Sequence, residues 1–299
     1  MDSEVRQLGL DVGATNIKLA VVEDDRVVVT DQAPTRSEEG GPPAVLERVI
    51  ELGRSAGPVE SVGVAVPGLF DADGVALLLP NLYGEWTGQP LREPLERAFG
   101  REVALVNDGH AFALAEARVG AARGSRDVIC IVCGTGIGGG LVIDGEIHLG
   151  TDDRAGEVGH HTVVLDGPPC DCGNRGCLET LAGARAIARA AGKTSFDEVV
   201  PSARAGDERA REALADAGRL IGTVIANLTI FVAPQRVVVG GGVAEAGDLL
   251  LEPLRETVLQ RAANVAPMEK IEIVHASLGS YAGAIGAALY GAAGVSRRP

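Results

Sequence analysis

Basic residues are scarce in this 299-residue chain. The 27 Lys and Arg stand against 41 Asp and Glu, a net charge of −14, and lysine occurs only three times. That balance argues against a nucleic acid held on a basic face. It also means that any anionic ligand needs a local device, such as backbone N–H groups, a helix N-terminus or a metal ion. Cysteine is sparse as well, five in all, too few for a disulfide scaffold. The start, MDSEVRQLGLDVG, lacks the basic-then-apolar run of a secretory signal, so the expected location is the cytoplasm. One stretch is long enough to need a check for membrane insertion. The charge-free stretch Ala276–Ser296 is rich in glycine and serine with few large aliphatics. It reads as a small-residue helix packed tightly against a neighbour, not as a membrane span.

What is present is an ordinary globular balance, 46% hydrophobic and 23% charged, in a length that suits two domains or one large one. Glycine, at 41 residues, is about twice the usual share, which predicts several backbone positions of special geometry. The chain opens with three β-rich runs, Leu8–Asp11, Ile17–Val22 and Arg26–Asp31, the last two joined by the turn Glu23–Asp24–Asp25. Helical spacing covers Pro43–Ser55. A buried-type strand, Val62–Val66, ends at Pro67–Gly68, and a helix is expected around Leu91–Phe99. Strand Val103–Val106 and a helix after Asn107–Asp108 complete the half. The order then returns: strand Val128–Val132, a hairpin of Gly140–Ile143 with Glu146–Leu149, an insertion and several helices. Strand Arg236–Val239, helix Asp248–Ala262, strand Ile271–His275 and a last helix from about Tyr281 follow. Two halves of one plan suggest a duplicated α/β domain with a cleft between the copies and a boundary near Val119–Ser125. The first strand begins almost at the N-terminus, so no helix-turn-helix segment is expected ahead of Leu8.

Three glycine loops sit at strand ends. In the first, Asp11–Lys18, Gly13 allows a tight turn with exposed N–H groups, Thr15 and Asn16 add donors, and Asp11 could hold Mg²⁺. A plain hairpin turn explains the same residues. The second, Gly134–Gly140, has five glycines in seven positions, as if a ligand must approach the backbone. The third, Gly240–Gly241–Gly242, is neither a Walker loop nor a dinucleotide fingerprint, and would suit a flat adenine or ribose. Cys170, Cys172 and Cys177 lie within eight residues, with His160 and His161 upstream. A closed Cys₃His zinc site of structural type fits this inventory, and a set of unbridged thiols is the alternative. Asp108 follows a strand and precedes a helix, where it could serve as a general base or only as an N-cap. Asn81 is likewise open between turn residue and ligand.

Together these motifs resemble the ROK group of bacterial sugar kinases and sugar-responsive repressors, within the actin-like ATPase fold, from Leu8 to about Gly291. The most specific part is Gly156–Glu157–Val158–Gly159–His160 followed by Cys170–Glu179. The resemblance implies an α/β fold of two duplicated actin-like (ribonuclease H-like) domains flanking a cleft. Residues 1–120 with about 278–299 would form the first and 121–277 the second, with a zinc-binding insertion at 156–180. It implies an ATP-dependent hexose kinase, with glucose ahead of fructose, mannose and the N-acetylhexosamines, and with a transcription regulator or a non-catalytic sugar sensor as other classes. Asp108 would be the general base. Gly68, Asn81, Asn107, Asp108, Glu157, His160 and Glu179 would line the sugar pocket. Asp11, Gly13, Ala14, Thr15, Asn16 and Lys18 would form the first phosphate loop, Gly134, Thr135 and Gly136 the second, and Gly241 and Gly242 the adenosine side. His160, Cys170, Cys172 and Cys177 would bind zinc. ATP, Mg²⁺ and structural Zn²⁺ are the implied cofactors, no nucleic acid or membrane partner is implied, and a homodimer or homotetramer is the implied assembly. The sequence departs from the group's pattern at Ala14, where a second glycine is common, and at Gly109–His110 and His161. Ala14 should be tolerated if its φ is negative, and His110 could alter the pocket wall.

Overall fold

The computed structural model describes residues 5–294. In chain order the elements are β1 (Arg6–Val12), β2 (Asn16–Glu23), β3 (Arg26–Pro34), α1 (Gly41–Ser55), β4 (Ser61–Val66), β5 (Leu69–Phe70), β6 (Ala76–Leu78), α2 (Arg92–Phe99), β7 (Val103–Asn107) and α3 (Asp108–Arg118). Then come β8 (Val128–Cys133), β9 (Ile137–Ile143), β10 (Glu146–Ile147), α4 (Leu178–Ala182), α5 (Ala184–Ala191), α6 (Val199–Arg204), α7 (Glu208–Val232), β11 (Arg236–Gly240), α8 (Asp248–Ala262), β12 (Glu272–His275) and α9 (Ala282–Ala292). The chain divides into two compact units. One takes the residues up to Arg123, Ile147–Ala155 and the chain from Leu278; the other takes Gly124–Glu146 and Gly156–Ser277.

The sheet of the first unit runs β3-β2-β1-β4-β7. β1 is antiparallel to β2 and parallel to β4, and β4 is parallel to β7. The hairpin turn between β2 and β3 places Asp24 at φ 46° and Asp25 at φ 61°, the double left-handed geometry that matches strand twist. Side chains alternate along β1. Leu8 and Leu10 enter a core with Val45, Val49 and Leu95, while Gly9 meets α9. A Cβ on Gly9 would stand 1.8 Å from the Ala284 carbonyl oxygen, and one on Gly63 of β4 would stand 1.8 Å from that of Ala287. The small-residue stretch is thus a helix laid directly on two strands.

The sheet of the second unit runs β10-β9-β8-β11-β12. β8 is antiparallel to β9 and parallel to β11, and β11 is parallel to β12. Order and sense repeat those of the first sheet. Asp144 (φ 54°) and Gly145 (φ 86°) repeat the hairpin turn. Its core joins Ile129 and Ile131 to Leu214, Ile221 and Ile225 of α7 and to Leu250, Leu254 and Val258 of α8. The two helices approach closely at Gly218 and Gly222, where a Cβ would meet the carbonyl oxygens of Leu250 and Leu254 at 2.4 and 2.6 Å. Among the described residues α7 alone is long and apolar enough to cross a membrane. Its apolar side is this core, and its first half carries Arg209, Arg211, Glu212, Asp216 and Arg219.

Two sequence expectations change. The strand expected over Glu146–Leu149 stops at Ile147. Gly150 (φ 73°), Asp152 (φ 52°) and Asp153 (φ 55°) turn the backbone out of the extended region shortly after. Ile147–Ala155, placed with the second half by the sequence, groups with the first unit.

The close contacts of α9 make a stability prediction. Gly63→Ala should destabilise the protein by about 1–3 kcal/mol or more through overpacking. Gly242→Ala has nothing within 4 Å of its Cβ position and should stay within about 0.5 kcal/mol of the native chain. Urea-unfolding midpoints measure both, and equal midpoints would contradict the packing.

Candidate active site

β7 delivers Asn107 and Asp108 to the start of α3. The N-cap is Asn107, whose Oδ1 accepts from the backbone N–H of Gly109 at 2.9 Å and of His110 at 3.4 Å. Its Nδ2 donates to the Gly68 carbonyl at 3.2 Å. Asp108 is therefore the first helical residue and not the cap. It is exposed, and its Oδ1 lies 2.9 Å from the Gly109 nitrogen. A carboxylate in the first turn is favoured by the helix dipole. Gly68 adopts φ +90°, and a Cβ there would fall 2.1 Å from the Leu78 carbonyl oxygen and 2.6 Å from Pro80. The first unit thus gathers Asn107, Gly68 and the segment leading to Asn81. Asn81 sits at φ +66° with its side chain exposed, which meets the turn reading of that residue.

In the first glycine loop, Asp11 pairs with Lys18 across the β1–β2 ladder. The Gly13 N–H donates to the Asn16 carbonyl at 3.1 Å. Ala14 and Thr15 are exposed at the tip, and Ala14 keeps a negative φ, so its methyl brings no strain. Burial raises the Asp11 carboxyl to about 6, with Lys18 pulling it down. Two residues that the motifs did not point to hold this loop. Buried Thr35 donates from Oγ1 to the Gly13 carbonyl at 2.6 Å and from N–H to the Thr15 carbonyl at 2.8 Å. Gly283 of α9 leaves room for the Asp11 carboxylate, since a Cβ would stand 2.5 Å from its Oδ2. Close approach of this kind has no signature in a single sequence.

The other two loops meet at Cys133 in the second unit. The Gly134 N–H donates to the Gly136 carbonyl at 2.8 Å, and the Gly134 carbonyl accepts from the Ala184 N–H at 2.9 Å. Gly241, at φ +85°, passes so close that a Cβ would lie 2.3 Å from the Cys133 carbonyl oxygen. That same oxygen accepts from the Val243 N–H at 3.0 Å. Gly134 and Gly242 have open space on their Cα, so a ligand can approach the backbone at both. The sequence reading of the whole run as a ligand approach needs correction. A Cβ on Gly139 would be 2.7 Å from the Cys130 carbonyl oxygen, one on Gly156 (φ +83°) 2.7 Å from that of Gly139, and one on Gly159 2.0 Å from that of Ile137. This part of the run is stripped so that the loop bearing Glu157 and His160 can lie on β9.

That loop joins the cysteines. The ligand atoms of His160, Cys170, Cys172 and Cys177 all lie within 4.8 Å of one another. Cys170 Sγ is 3.6 Å from His160 Nδ1, and Cys172 Sγ is 3.7 Å from Cys177 Sγ. A tetrahedral zinc with bonds of about 2.0–2.3 Å needs edges of about 3.5–3.8 Å, so the donor set fits the ion. His160, not exposed His161, faces the sulfurs. Gly173 (φ +89°) and Gly176 (φ +66°) supply the curl of the loop. Burial pushes the Cys170 thiol up to about 12 and raises Cys177, while the Asn174 N–H lowers Cys172. Glu179 stands beside the cluster, Oε1 at 3.2 Å from Cys170 Sγ and 3.5 Å from His160 Nδ1. Its Oε2 lies 2.9 Å from the Cβ position of Gly136. Glu157 Oε2 is 3.8 Å from His160 Nε2. Partial burial raises the Glu157 carboxyl, His160 lowers it, and Glu179 raises it further.

Two sheets of one order, with glycine loops and carboxylates at strand ends, have the sugar kinase form of the α/β fold. The chain belongs to the ROK family, whose sequence model matches residues 7–292. The glucokinase of Halalkalibacterium halodurans is 34% identical over 312 residues, 93% of this chain and 92% of that one. The glucokinase of Thermotoga maritima is 33% identical over 313 residues, 95% of this chain and 96% of that one. A crystal structure of a ROK family glucokinase from Streptomyces griseus, in complex with glucose and AMPPNP, is similar with a TM-score of 0.85 at 30% identity. It covers 97% of this chain and 100% of that one.

Proposed function

We propose that this chain transfers the γ-phosphoryl group of ATP to a hexose, glucose before other sugars, giving glucose 6-phosphate and ADP. The observation that carries the reading is the start of α3, where Asn107 takes the cap and leaves Asp108 at the first helical position. Asp108 accepts the proton of the sugar 6-hydroxyl as that oxygen bonds to the γ-phosphorus. The bond from phosphorus to the β-bridging oxygen breaks, and ADP leaves with the electron pair. Asn81, Asn107, Glu157, His160 and Glu179, with the Gly68 backbone, hold the sugar hydroxyls. Short amides and carboxylates bind adjacent hydroxyls in pairs, and a sugar lacking one would leave a partner unsatisfied.

The loop within residues 11–18 meets the phosphates at its tip, Ala14 and Thr15, and the second loop does so at Thr135 and Gly136, since the Gly13 and Gly134 N–H groups are held within their own turns. Gly241 and Gly242 lie on the adenosine side. A carboxyl raised by burial is a group that a cation re-ionises, which fits Asp11 as the residue that would hold Mg²⁺, the neutraliser of phosphate charge. The equal strand order of the two sheets supports reading the units as duplicated halves of an actin-like ATPase fold. The cytoplasm supplies ATP and keeps thiolates reduced.

His160 Nδ1 and the sulfurs of Cys170, Cys172 and Cys177 would hold a structural Zn²⁺, which fixes the loop from Gly156 to Glu179. His160 then keeps Nε2 for the sugar.

Purified chain with Mg²⁺ and ATP should release ADP in a hexose-dependent way, with the highest kcat/KM for glucose among glucose, mannose, fructose and the N-acetylhexosamines. Release with another sugar in front would move the specificity. No release with any of them would reject the kinase. Metal analysis should find one zinc per chain, and Cys177→Ser should lose most of it, with a lower melting temperature. A metal-free native chain of full activity would remove the zinc reading.

A further inference from the structure

Helix α3 carries two fully buried titratable side chains that the proposed reaction does not use, His110 and Glu116. His110 Nε2 lies 2.7 Å from the Ala155 carbonyl oxygen. A carbonyl only accepts, so Nε2 bears the proton, and Nδ1, buried without a partner, is the bare nitrogen. Burial holds this imidazole below its usual range, against the pull of the Ala155 carbonyl and Asp153, and His148 adds to the lowering. Glu116 accepts with Oε2 from the Ala121 N–H at 2.7 Å and with Oε1 from the Leu278 N–H at 2.9 Å. Gly120 permits this, since a Cβ there would stand 2.2 Å from Oε2.

The three main-chain groups held in this way have one thing in common. The chain leaves the first unit after Arg123, returns at Ile147, leaves again after Ala155 and returns at Leu278. Ala121, Ala155 and Leu278 each lie at, or two residues from, one of these four passages. Local turns could have satisfied those groups. Instead they are bound by side chains of the helix whose first residue is Asp108. Burying a carboxylate and a half-satisfied imidazole is costly, and the same three contacts could not be made by apolar residues.

We propose that His110 and Glu116 are positioning residues that tie three of the four chain passages to the helix bearing Asp108. The consequence for catalysis rests on the kinase reading. Glu157 follows Ala155 by two residues, so the carbonyl held by His110 sets where the segment leading to a sugar ligand begins.

His110→Phe keeps a ring and removes the donor, and His110→Gln keeps an N–H of similar reach. At temperatures where all variants are folded, His110→Phe should raise the hexose KM about tenfold. The ATP KM should stay within about twofold, and His110→Gln should recover most of the loss. In Glu116→Gln the Leu278 or Ala121 amide should exchange its hydrogen about tenfold faster than in the native chain, because one carboxylate oxygen becomes a donor. A merely structural role would lower the melting temperature and leave the constants of the folded enzyme unchanged. Unchanged constants in His110→Phe together with unchanged exchange in Glu116→Gln would overturn the proposal. If the native chain itself releases no ADP with any hexose, the kinase reading has failed, and the exchange comparison alone decides whether the tie exists.

Discussion

The start of α3 is set by one side chain. Asn107 closes the first turn with its Oδ1 and reaches the Gly68 carbonyl with its Nδ2. A cap of this kind is worth about 1 kcal/mol, yet its larger effect is geometric, because it determines which residue Asp108 is. Beyond it, α3 is buried from Gly109 to Ala117. Its back is fixed by α9, where a Cβ on Gly286 would stand 1.8 Å from the Ala111 carbonyl oxygen. The same helix lies on β1 and β4 through Gly9 and Gly63, and makes room for Asp11 through Gly283. The helix of the proposed base and the carboxylate of the first loop are therefore mounted on one rod of small residues. That is the physical reason for a C-terminal stretch with so few large side chains.

In the second unit Glu179 has the corresponding place. It is on the first turn of α4, with one oxygen beside Cys170 and His160 and the other against Gly136. A side chain touching both the sulfur–imidazole cluster and the glycine loop passes the rigidity of one to the other. Zinc binding would make that rigidity large, because four bonds replace weak contacts between neutral thiols.

Much of this was legible in the sequence where a residue type has few physical uses. Three cysteines and a histidine at such spacing admit few alternatives, and the structure brings their donor atoms together. The two hairpin turns were legible because Asp-Asp and Asp-Gly suit left-handed φ. Asn107–Asp108 was legible as the turn from β7 into α3 but not in its division of labour, since either residue could have capped the helix. The glycine run from Gly134 was read too uniformly. Glycine removes a side chain for a ligand or for a neighbouring strand alike, and only packing tells Gly134 from Gly139. Thr35, Gly283 and the bonds of His110 and Glu116 depend on residues far apart in sequence, so no local pattern announces them.

Asp108, as the proposed base, takes the proton and does little to hold the sugar. Glucose binding by calorimetry and glucose-dependent ADP release, measured side by side on the native chain and on Asp108→Asn, test it directly. In Asp108→Asn turnover should fall by about 10²–10⁴-fold, with the glucose dissociation constant within about an order of magnitude of the native one. Near-native turnover in the variant, or loss of glucose binding in proportion to turnover, would contradict it.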